Sequence, residues 1–85
     1  MPYIEQRIKT TIDPKLKRII NSTLTEGELN YAITKLCISY IEHHALNYTS
    51  LNAIVGALEC AKLEFYRRLV GPYEDEKIKF NGDVY

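Results

Sequence analysis

Thr49–Val70, TSLNAIVGALECAKLEFYRRLV, is the stretch whose reading decides the fold. It is the longest helical pattern in the chain. Leu51, Ile54, Val55, Leu58, Ala61, Phe65 and Leu69 recur at the spacing of one helix face. A second stripe, Ala53, Gly56, Ala57 and Cys60, holds only small residues. Glycine inside a helix costs about 1 kcal/mol relative to alanine. Gly56 therefore needs a reason, and close approach of another helix backbone supplies one. The expectation is a central helix that one chain cannot cover alone, with Ala53, Gly56, Ala57 and Cys60 as the face that meets a second copy.

Working back from that helix, Asn47-Tyr48-Thr49-Ser50 is a short polar connection, with Thr49 or Ser50 as the cap. Such a loop makes the helix before it an antiparallel neighbour. That second helix has a sharp start. Thr25 and Glu28 have the spacing of a capping box, and Leu24 and Leu29 stand where the flanking hydrophobic staple belongs. Leu29, Ala32, Ile33, Leu36, Cys37, Tyr40 and His44 then share a face.

Further upstream, Asp13-Pro14 predicts the start of a short first helix, because Asp accepts from the free amides of a first turn and Pro has none to satisfy. Residues 1–12 read as an N-terminal arm, although Ile4, Ile8 and Ile12 are four apart. Downstream, Gly71-Pro72 predicts a left-handed stop after Val70. A last helix follows, acidic at Glu74–Glu76 and basic at Lys77 and Lys79, and Asn81-Gly82 closes it. The chain is thus expected to be one all-α domain of three to four helices, at 14–21, 26–45, 50–70 and 73–81. Residues 26–45 and 50–70 form its antiparallel hairpin, in a protein built from several copies.

Composition narrows the function. The chain has 85 residues, room for one domain with a marginal core, which favours burial between subunits. Its eleven basic and eleven acidic side chains cancel, which argues against sequence-independent binding to nucleic acid. They are unevenly placed. Residues 1–20 carry five basic and two acidic groups, a balance of +3, and residues 21–60 carry one basic and four acidic, a balance of −3. MPYIEQRIKT lacks the apolar stretch of a secretion signal and no run is long enough to span a membrane, so a cytoplasmic protein is expected. Cys37 and Cys60 fall on apolar or small-residue faces and are expected as buried, reduced thiols.

No catalytic residue, cofactor or metal site is expected. His43 and His44 are adjacent, about 100° apart on a helix, and so cannot grip one ion as residues four apart can. Glu59 and Glu64, five apart, lie on different faces, unlike the paired carboxylates of all-α nucleotide hydrolases. A binding surface fits better. The chain has seven tyrosines, a residue favoured at interfaces. Tyr66, Arg67, Arg68 and Tyr73 cluster at the end of the long helix, with guanidinium groups suited to phosphate and rings suited to a base.

MPYI at the start, GELNYAITKL in the second helix and NYTSLNAIVGALECAKLEFYRRLVGPYEDEKIKFNGDVY to the end resemble a family of short bacterial and phage proteins with no assigned activity. The resemblance implies a self-contained domain, often carried by phages, of a class that binds a host protein or sequesters a nucleotide signal. The reading is a non-enzymatic, oligomeric binding protein whose partner is a host protein or a small nucleotide. A metal-dependent all-α nucleotide hydrolase and a purely structural or assembly protein are the alternatives.

Overall fold

The computed structural model describes all 85 residues, Met1–Tyr85, and every regular element in it is helical. α1 spans Gln6–Ile20, α2 Glu26–His43, α3 Tyr48–Phe65 and α4 Gly71–Asn81. A π turn, Tyr66–Val70, joins α3 to α4 without a break. The protein is a small all-α domain, as its periodicity implies.

Local chemistry explains most of the boundaries. At the start of α2 the capping box is complete: Thr25 Oγ1 accepts from the Glu28 amide at 3.2 Å, and Glu28 Oε1 accepts from the Thr25 amide at 2.9 Å. α3 is capped by Asn47, whose Oδ1 accepts from the Ser50 amide at 2.9 Å, so the helix starts at Tyr48 instead of Ser50. Any of Asn47, Thr49 and Ser50 can cap, and the first in the chain does so. Gly82, at φ 86°, terminates α4 and donates its amide to Ile78 O at 2.8 Å.

α1 differs from the sequence reading. It begins at Gln6, so residues 6–12 are helical instead of an extended arm, and Pro14 sits inside the helix instead of at its first position. Glu5 makes no side-chain cap; its carboxylate accepts from Arg7 Nε at 2.9 Å. The four-residue spacing of the isoleucines prevails over the Asp-Pro signal. In the turn before Pro14, the Thr10 and Thr11 hydroxyls donate to the carbonyls of Gln6 and Arg7, a pattern often found where helices bend.

Gly71-Pro72 is the second departure. Gly71 is right-handed, at φ −55° and ψ −55°, and the helix runs through it. An inserted proline ring would clash with the carbonyl four residues back, that of Arg68. The π turn relieves the clash by fitting one more residue into the turn than an α-helix holds. A Cβ added at Gly71 would lie 3.5 Å from Tyr66 O, an ordinary contact. Gly71→Ala is therefore expected to stabilise the protein by about 0.5–1 kcal/mol, read as a higher urea midpoint. A lower midpoint would mean that position 71 is left-handed after all.

The helices are well formed but thinly packed. α2 and α3 lie together near their loop, while the backbone of α1 runs alongside no other helix. The radius of gyration is 16.6 Å, against about 12 Å for a compact domain of this length. No apolar side chain is buried, and Ser50, 7% exposed, is the only buried residue. The stripe from Leu51 to Leu69 is left largely uncovered: Val55 is 64% and Leu69 59% exposed. With α1 away from α3, only α2 reaches that stripe, and only along part of its length.

Candidate functional site

Polar side chains gather around the π turn. Arg67 Nε donates to Glu64 Oε1 at 2.9 Å, one helical turn back, and the Glu64 side chain is only 23% exposed. Arg68 Nη1 approaches the Tyr3 hydroxyl at 3.4 Å, which brings the N-terminal segment to the end of α3. The Tyr66 hydroxyl donates to Glu74 Oε1 at 2.8 Å. Residues eight apart stand about 80° out of line on an α-helix. The extra residue in the π turn brings them close to one face, so the bulge and the hydrogen bond belong together. Tyr73 stands apart on α4, exposed, with Lys77 Nζ 5.5 Å from its ring centre.

The four proposed ligand contacts therefore share one end of the molecule but do not converge as free groups. Tyr66 and Arg67 already hold carboxylates, and an anion would have to displace Glu64 from Arg67. Tyr3 and Glu74 complete the cluster. Glu74 lies in the acidic start that the sequence reading gave to the last helix. Tyr3, sixty-five positions from its partner, has no local signal.

These contacts shift proton equilibria. Glu64 is held below the usual carboxylate range, chiefly by the hydrogen bond from Arg67. Glu28 is lowered too, first by the Thr25 amide. Tyr66 is raised, because ionising it would break its bond to Glu74 and set two negative charges together. A lowered carboxylate stabilises the fold above its unfolded pKa of about 4.3, and that stabilisation disappears as pH falls through the folded value. A raised phenol stabilises it below about pH 10 and ceases to do so as pH rises through the folded value. The urea midpoint is expected to be flat near neutrality and to fall at both ends. Glu64→Gln should flatten the acid side and Tyr66→Phe the alkaline side. The effects are small and weaken in salt because these groups face solvent.

Other candidate groups are engaged locally. His43 and His44 are both exposed, and their Nδ1 atoms bond the carbonyls of Ser39 and Tyr40 at 2.8 and 2.9 Å, capping the end of α2. The His44 ring stacks on Tyr40, centres 3.9 Å apart. Glu59 pairs with Lys62 at 3.2 Å. No group of three or more His, Cys, Asp or Glu side chains is placed to hold a metal ion. Both cysteines are free thiols, but neither is buried as expected: Cys37 is half-buried and Cys60 exposed, because nothing in the chain covers the small-residue face of α3.

The remaining feature is an open trough between α2 and α3, about 330 Å³, lined by Leu36, Cys37, Tyr40, Ala53, Ile54 and Leu58, with Ala57 beside them. Its walls lie at similar distances from the loop on each helix, as in a chain that doubles back. Ala53 and Ala57 belong at once to the trough and to the small-residue stripe. Next to them, nothing lies within 4 Å of where a Gly56 Cβ would sit.

Fold and site together define a small all-α protein with locally paired charges and open apolar faces, in which no helix is long and apolar enough to cross a membrane. The chain belongs to the family described as Domain of unknown function (DUF6899), which matches residues 1–84. No curated protein and no solved structure matches it.

Proposed function

We propose that the chain is a subunit of a homo-oligomeric, non-enzymatic binding protein. The carrying observation is its surface. The chain exposes 7864 Å², whereas a folded monomer of 9.9 kDa exposes about 5,200 Å². The excess is about 2,700 Å² per chain, and large apolar side chains stand exposed on every helix, Ile20, Leu36, Val55 and Phe80 among them. A binding role is favoured over metal-dependent nucleotide hydrolysis because Glu59 and Glu64, the nearest candidates for paired carboxylates, are held by Lys62 and Arg67. A protein partner is favoured over a small nucleotide because Arg67 and Tyr66 already have intrachain partners. The resemblance to short phage-borne proteins suits a cytoplasmic accessory factor acting on a host protein.

Native mass spectrometry of the purified protein tests the reading. The expected result is a dimer or larger assembly at micromolar concentration. A folded monomer would overturn it. Nucleotides retained in the spectrum, and lost with Arg67→Ala plus Arg68→Ala, would shift the partner from protein to nucleotide.

A further inference from the structure

We infer that the α2–α3 trough and the adjoining small-residue stripe of α3 are covered by the same surface of a second copy, seated about a two-fold axis. This rests on the oligomeric reading above and names the surface that makes it.

Three observations lead there. First, the trough is apolar throughout: none of its seven lining residues is charged or carries an amide. A small-molecule pocket needs convergent polar groups to orient its ligand, and this one offers only a thiol and one phenol. Apolar side chains are the better occupant. Second, α3 has apolar residues on several faces, and Val55, Leu58, Leu63 and Phe65 are all exposed. Only α2 lies beside it, which leaves much of that apolar surface without cover. Third, burying the excess area on each of two chains removes roughly 5,000 Å², the upper part of the range for obligate homodimers.

The surface is also suited to itself. A two-fold interface requires one patch to carry both projections and recesses. Leu36 and Leu58 line the trough yet stand 58% and 44% exposed, and Ala53 and Ala57 line it too, with open space at Gly56 next to them. Close backbone approach across Gly56 would offset the helix cost of a glycine there. Charge does not oppose the pairing. The trough itself carries no charged side chain, so no acidic group of residues 21–60 is buried at its centre.

Cys60 reports on the inference without any substitution. It lies on the small-residue stripe and is exposed in a single chain. The native protein is treated with iodoacetamide at neutral pH, with and without urea, and each cysteine is followed by peptide mass. A native mass is taken from the same sample. The expected result is a homo-oligomer in which Cys60 reacts at least 100-fold more slowly than in urea. An intact homo-oligomer whose Cys60 reacts as fast as in urea would overturn the inference and leave the oligomeric reading standing. A folded single chain would overturn both. One copy bound to a different polypeptide would also overturn the inference, since the trough would then have another occupant.

Discussion

Ala57→Arg is expected to turn the assembled protein into a largely unfolded single chain. Position 57 is exposed in the isolated chain, where such a change on a helix surface costs no more than about 0.5 kcal/mol. Within a two-fold interface the same guanidinium would be buried without a partner, against its own symmetry mate. An unpaired buried charge costs several kcal/mol, and a symmetric dimer suffers it twice. Because the single chain buries no apolar side chain, dissociation and unfolding should coincide. The expected readout is loss of most of the helical circular dichroism at micromolar concentration, together with a single-chain native mass. Unchanged helicity and mass would place the small-residue stripe of α3 in solvent.

The second large effect concerns α1. Pro14→Ala should stabilise the protein by up to about 3 kcal/mol, the cost of a proline in a helix interior, less whatever the unfolded chain gains in freedom. Alanine restores the amide missing opposite the Thr10 carbonyl and removes the ring from the middle of Gln6–Ile20. If the helix instead began at Asp13-Pro14, the substitution would remove a favourable first-turn residue and lower stability slightly. The sign of the change in urea midpoint separates the two cases, and added helicity by circular dichroism should accompany stabilisation.

Both variants probe places where local and distant forces compete, and such places also separate what could be read from the sequence from what could not. The start of α2 was legible because the capping box is written within four residues, Thr25 to Glu28. The class of the fold was legible from the spacing along α2 and α3. Asp13-Pro14 and Gly71-Pro72 misled for one reason. Each is a boundary signal in isolation, but each lies in a segment where helix persists on both sides, with Pro14 inside Gln6–Ile20 and Pro72 just after the π turn Tyr66–Val70. At the candidate site, Glu64 and Arg67 were legible as a pair one turn apart. The approach of Tyr3 to Arg68 was not, since it depends on how the whole chain folds back. Gly56 pointed to an uncovered face, but only the three-dimensional arrangement places Ala53 and Ala57 in the wall of an apolar trough.

The π turn makes this part of the chain tolerant of a change in its own length. Between Phe65 and Gly71 the helix carries a supernumerary residue. Removing any one residue from 67–70 would let the ordinary ladder close. Tyr66 and Glu74 would then stand seven apart, about 20° out of line on an ordinary helix, so α4, with Tyr73 and Lys77, would keep its side. A deletion within α3 or α4 would re-aim the helix beyond it by about 100°; the same deletion in the π turn would not. The segment acts as slack, counted in residues, not in side chains.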